Sequence, residues 1–201
     1  MSVVPRGALR WGPVVALLVA VAVGVGVWQA QDDDPPARPP APKAVAVTSN
    51  APRLASLAQL VQASTVIVEG TVVQTEHGRV FGDPGGDATV ESRVLTLRVE
   101  RVLHGLAPAH DEVLVEEEGW DGDGAPLVVD GAAPSKRGDT GTWFLTSVGS
   151  GEEQRYVIVS AEGRYLERGG RLHGATGDDP LVARLVALGP EGLPAAIAAV
   201  S

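Results

Sequence analysis

The chain has 201 residues with 25 acidic and 16 basic side chains, for a formal net charge of −9. From Ala51 onward 22 acidic residues stand against 12 basic ones, and a surface with that excess repels nucleic acid. Cysteine is absent, which excludes a disulfide scaffold, a thiol nucleophile, a thiolate zinc site and a lipid-modified cysteine.

The length suits one domain with accessories. A folded part of about 125 to 150 residues buries roughly two-thirds of its unfolded surface and needs no metal or disulfide to hold it. Lys43 and Lys136 are the only lysines, every other basic residue being arginine. With the richness in Ala, Gly, Val and Pro, this is the composition of a GC-rich bacterial gene.

The stretch from Trp11 to Trp28 carries no charge. Its 18 residues, at about 1.5 Å each, reach roughly 27 Å as a helix, close to the hydrocarbon thickness of a bilayer. Tryptophans at both ends favour the two interfaces, Arg6 and Arg10 precede the stretch, and Asp32 to Asp34 follow it. Residues 11–30 are therefore expected to be a transmembrane signal-anchor. Residues 1–10 are then the cytoplasmic N-terminus, and the bulk of the chain lies outside the cytoplasm. The rival is a cleaved leader ending at Ala30, against which Trp28 occupies a position where cleavage requires a small residue. Residues 31–52, with "DDDPPARPPAP", read as a Pro-rich tether too polar to build a core.

Next in order, Leu54, Leu57, Leu60 and Val61 recur at helical spacing up to Ser64. The β-branched stretches 65–73 and 92–103 predict a long, bent antiparallel hairpin around "FGDPGGDA". A third strand follows at 111–118 with Val113 and Val115 on one face. Residues 141–148 and 155–160 predict a hairpin, and 164–174 a smaller one around Gly169 and Gly170. Asp179 is placed to cap a short helix that has Pro180 at its first position and stops at Gly189, with one or two further turns after it.

One helix followed by strands predicts a mainly β fold, a small OB-like Greek-key barrel over 53–175 with a helical segment at 176–201. The segments "QASTVIVEGTVV", "SRVLTLRVERVLHG" and "RGDTGTWFLTSV" resemble the first strands and the glycine turn of the netrin-like OB-fold domains, the group of the tissue inhibitors of metalloproteinases. The resemblance covers roughly 65 to 160 and implies a fold. The inhibitors act through an N-terminal cysteine, which this chain lacks, so no functional residue carries over.

The densest acid, "EEEGWDGDGAP" at 116–126, reads as a hydrated turn after a strand, with all its carboxylates ionised. Glu118, Asp121 and Asp123 could instead offer oxygen ligands to calcium, with Gly122 and Gly124 letting the loop curl, although the final glutamate of an EF-hand is missing. A paired-carboxylate hydrolase needs one acid of raised pKa in an apolar pocket and a second within about 5 to 9 Å. Trp120 is expected to fold over the barrel end, and at least one of the Trp143 and Phe144 rings to enter the core. His104 and His110 flank a turn without a third ligand, and His77 and His173 stand alone. No nucleophile-elbow, zinc-protease, phosphate-loop or dinucleotide motif occurs.

The expectation is thus a membrane-anchored, extracytoplasmic binding or interaction module without catalysis. An envelope hydrolase using the acidic-loop carboxylates and a calcium-stabilised structural module are the alternatives. No cofactor is expected, calcium excepted. The expected partners are the membrane, through residues 11–30, and an envelope protein or small ligand. A reporter active only outside the cytoplasm, fused after Ser201, is expected to be active and to sediment with membranes. Recovery from the medium of a chain beginning near Gln31 would identify a cleaved leader instead.

Overall fold

Alternating β-branched and large apolar residues cannot bury a helical stripe, but they cover one face of a pleated sheet, and most of the chain follows that rule. The computed structural model describes residues 43–48, 53–82, 89–149 and 154–201. The chain divides into two units, Met1–Pro39 and Pro40–Ser201, and every described residue belongs to the second. The expected membrane anchor and most of the tether lie outside the described residues.

Helix α1 (Leu57–Ala63) begins where the Ser56 hydroxyl accepts from the Gln59 amide, later than the leucine spacing from Leu54 predicts, and ends at Ser64 as expected. The long hairpin follows as β2 (Val66–Phe81) and β3 (Val90–Gly105), antiparallel and bent by four register shifts. Both strands run past the expected limits, β2 to Phe81 and β3 from Val90 to Gly105. The remaining strands are β4 (Glu112–Asp121), β5 (Leu127–Val129), β6 (Thr140–Val148), β7 (Arg155–Ile158), β8 (Arg164–Arg168) and β9 (Arg171–Gly174). Gly169 and Gly170, both with positive φ, make the two-residue turn that the β8–β9 register requires.

The sheet runs β2-β3-β4-β7-β6-β8-β9, and β2 also pairs with β6. Five strands, β2, β3, β4, β7 and β6, therefore close on themselves, with β4 and β7 parallel at one seam and the other pairs antiparallel. Inside lie Val66, Val68, Val72, Leu95, Leu97, Val113, Val115, Trp143 and Leu145. A second core forms where α1, α2 (Pro180–Val186) and α3 (Gly189–Val200) pack Leu60, Leu181, Leu185, Leu193 and Ile197 around Ile67, Phe144 and Tyr165. Trp143 and Phe144 enter one core each, so both rings are buried where at least one is expected.

Asp179 caps α2 by accepting from the Leu181 and Val182 amides at 2.7 and 3.1 Å, with Pro180 behind it. From Gly189 the chain forms a 12-residue helix, longer than the expected turn or two. Among the described residues no single helix is long and apolar enough to cross a membrane. Helices α2 and α3 together have the composition of a broken span, but they bend by 111° and spend their leucines on the second core.

The end of the expected tether is not free chain. Val45–Val47 forms β1, parallel to β5, with Val45↔Leu127 and Val47↔Val129 in register. The short valine run satisfies the backbone of β5, which would otherwise be an unpaired edge. Asp130 and Gly131, with φ of 50° and 82°, then turn the chain back so that Ala132 bridges to Val129. This covering segment, 127–135, contacts β4 through β5 and lies over the candidate site.

At the β2–β6 seam Gly70 and Gly141 are register partners. A Cβ at Gly70 would collide with the Arg98 carbonyl, and one at Gly141 with the Tyr165 carbonyl. Both obstacles are backbone, so no side chain can swing aside. Gly141→Ala is expected to lose about 1–3 kcal/mol through overpacking, read as a lower urea midpoint at unchanged slope. Gly177→Ala, where a Cβ meets nothing within 4 Å, is expected to keep or slightly raise stability.

Candidate functional site

The acidic run splits according to the pleat. Along β4, Val113, Val115 and Glu117 share one face and Glu116 and Glu118 the other, because successive side chains alternate. The Glu116 and Glu117 side chains are only 6% and 10% exposed, which overturns the expectation that every acid here is hydrated. Their partners come from strands far along the chain.

Glu116 receives a two-pronged bond from Arg79 on β2, Nε to Oε1 at 3.0 Å and Nη2 to Oε2 at 2.5 Å. The Ser92 hydroxyl donates to the same Oε1 at 2.7 Å and accepts from the Arg79 amide at 2.7 Å. This charge-assisted fork holds the Glu116 carboxyl below the usual carboxylate range, Arg79 contributing most.

Glu117 accepts from the Ser135 amide at 2.8 Å and hydroxyl at 2.9 Å, and from Arg164 Nη1 at 3.3 Å. Arg164, with 4% of its surface exposed, also donates to the Ser135 hydroxyl and the Ala133 carbonyl. Arg93, the register partner of Glu117, donates to the Ser135 carbonyl at 2.8 Å. Burial dominates here and pushes the Glu117 carboxyl up despite the pull of Arg164 and Ser135. Burial likewise lowers the Arg93 guanidinium.

These pairs border a cavity of about 620 Å³. It lies between the β4–β7 seam, the β2–β3 hairpin and the covering segment, and its walls include Phe81, Leu127, Val129 and Val157. On β7, Tyr156 and Ile158 pack into the barrel core, so Val157 faces out beside its register partner Glu116. Ser160 and Arg164 also line the cavity.

The residues singled out for calcium come together only in part. The Asp121 carboxylate accepts from the amides of Asp123 and Ala125 at 3.0 and 2.7 Å, closing a turn in which Gly124 takes φ 78°. Asp123 is exposed on that turn, while Glu118 sits back on the strand at the cavity wall. Among the described residues no three acid or histidine side chains are grouped to hold a metal ion. Trp120 stacks on His77 with ring centroids 3.9 Å apart and lies under Arg93, whose Cζ is 4.4 Å from its centroid. It is packed, as expected. His104 is on β3 and His110 in the following loop.

As to a hydrolase pair, the acid with the raised pKa is Glu117, and Glu116 and Glu118 project from the opposite face of the strand. All three line the same cavity, and Glu117 and Glu116 are each held by an arginine, Arg164 and Arg79. The chain matches no protein-family model and no curated protein.

The opposed shifts give opposed pH profiles. Glu116 titrates lower folded than unfolded, so its stability is present above the unfolded value and lost as pH falls through the folded one. Glu117 titrates higher when folded, so its contribution is complete below the unfolded value and is lost as pH rises through the folded one. Urea unfolding from about pH 3 to pH 8 is expected to show the deficit of Glu116→Gln against wild type growing with pH to about 1–3 kcal/mol. The deficit of Glu117→Gln is expected to shrink with pH. Parallel profiles would contradict the assignment.

Proposed function

We propose that this chain is a membrane-anchored, extracytoplasmic OB-like barrel that binds a small, largely apolar ligand in the cavity under its covering segment, without chemical conversion. The charge-free stretch between Trp11 and Trp28, with arginines before it and aspartates after it, supports the anchor and its orientation. The closed order of five strands with β4 and β7 parallel supports the OB-like assignment and agrees with the netrin-like resemblance of 65–160.

The observation that carries the binding reading is the cavity itself. Its volume of about 620 Å³ lies within the range of small-molecule sites, roughly 300–1,000 Å³, which pair apolar walls with a few placed polar groups. Here the walls are valine, leucine and phenylalanine. The polar groups, Glu116 with Arg79 and Glu117 with Arg164, are fixed before any ligand arrives, so little side-chain freedom remains to be lost on binding.

The test uses methyl NMR on the full chain in lipid nanodiscs, titrated with 4-phenylbutan-1-ol, because methyl shifts report one site whatever partitions into lipid. Val129 and Val157 are expected to shift saturably while Leu95 and Leu97, inside the barrel, stay still. Val157→Trp, which fills the cavity, is expected to abolish the Val129 shift. Absence of a saturable shift at either valine would remove the binding reading.

A further inference from the structure

The segment that covers the cavity is fastened in two unlike ways, and the weaker fastening comes from the tether. Leu127, Val129, Ala132 and Pro134 of this segment line the cavity. At its far end Ser135 is fully buried and is bonded by Glu117, Arg93 and Arg164. Lifting that end would leave buried charge without its partners, which is costly.

The near end, β5, has β1 as its only paired strand among the described residues. The Val45 amide donates to the Pro126 carbonyl and the Asp130 amide to the Val47 carbonyl, each at 2.9 Å. Val45 and Val47 remain 39% and 37% exposed, so β1 is held by backbone bonds with little apolar burial behind them. Pro39, Pro40 and Pro42 stand just before it and lack the N–H that would lengthen the ladder. A three-residue strand held in this way opens at far less cost than the barrel.

We propose that β1 is a releasable latch on the cavity, through which the tether regulates ligand binding, an inference that rests on the binding reading above. Docked on β5, it holds the cover in place and the ligand is retained. Released, it frees 127–130 while Ser135 stays pinned, and the ligand is held less tightly. None of Val45–Val47 lines the cavity, so the effect passes through β5. By reciprocity, a ligand that requires the docked state also tightens the latch.

The experiment follows amide hydrogen exchange by NMR on the full chain in nanodiscs, with and without 4-phenylbutan-1-ol. Val45→Pro removes the bond to Pro126 and is expected to speed exchange of the Asp130 amide about two- to tenfold, the scale of one hydrogen bond. Leu95 and Leu97, inside the barrel, are expected to keep their rates. In the wild type, the alcohol at about ten times its dissociation constant is expected to slow Asp130 exchange about tenfold. Ala46→Cys with Val128→Cys joins register partners about 4.8 Å apart, outside the cavity lining and in a chain without other cysteines. Oxidised, this pair is expected to slow Asp130 exchange by itself and to abolish the further slowing by the alcohol, and reduction to restore the wild-type behaviour. An Asp130 rate unchanged in Val45→Pro, or slowed tenfold by the alcohol even in the oxidised pair, would overturn the latch. Binding that shifts the Val129 and Val157 methyls without slowing Asp130 exchange would overturn the coupling while leaving the cavity a binding site. If the alcohol shifts neither valine, the binding reading falls and the coupling with it.

Discussion

Closure of the barrel depends on one strand pairing on both of its edges. Strand β2 bonds to β3 along its length and to β6 over Val66–Thr71, and at Gly70 and Gly141 no Cβ can be accommodated. Glycine costs conformational entropy in a strand, and the closed sheet recovers it by leaving no free edge over that stretch. Every other feature is placed by this closure. With β2 and β6 joined, β7 is carried round to lie parallel to β4, and the β4–β7 seam becomes a wall against which the covering segment can rest.

The same geometry explains why charge is buried at that wall. Beyond Thr71, β2 loses its second partner and continues as half of a hairpin, bent by register shifts around Val72/Gln74 and His77/Val80. The bend brings Arg79 to Glu116 across Ser92. On the inner face the alternation Val113, Val115, Glu117 reaches the end of the barrel, where Arg93 and Arg164 converge. Desolvating such groups is costly, and an isolated buried pair is often no more stable than an apolar replacement. Here each carboxylate has at least three donors, so no ionised oxygen is left to the low-dielectric interior without compensation.

Much of this was legible in the sequence wherever partners are near in the chain. The Asp179 cap, the Gly169–Gly170 turn, the long hairpin and the inward valines of β4 all follow from spacings of a few residues. What escaped depends on residues far apart. Arg79 lies 37 positions before Glu116 and Arg164 lies 47 after Glu117, and β1 meets β5 across some 80 residues. One signal was present nonetheless. Glu117 continues the parity of Val113 and Val115, as Arg93 continues that of Leu95 and Leu97, and opposite charges at inward positions of neighbouring strands call for one another. The hydrated reading held for the turn itself, where Asp123 is exposed, and failed one step back on the strand, where the pleat decides.

The buried pairs have a further mechanical consequence. A cavity with apolar walls tends to collapse, because each wall atom gains dispersion contacts as the gap closes. Glu117 is bound at once to Ser135 in the covering segment and to Arg164 on β8, and Arg164 reaches the Ala133 carbonyl. Lowering the cover further would require these directional bonds to bend or break, leaving charge unpaired in the interior, at a cost larger than a few dispersion contacts return. On the other side, Arg79 props the hairpin against Glu116. The two ion pairs thus act as struts that fix the separation between β4, the hairpin and the cover, and the parallel pairing of β1 with β5 keeps the cover itself stiff. An apolar cavity held open by polar bonds around its margin is preorganised, since filling it restores the missing contacts without first breaking any of the bonds that shape it.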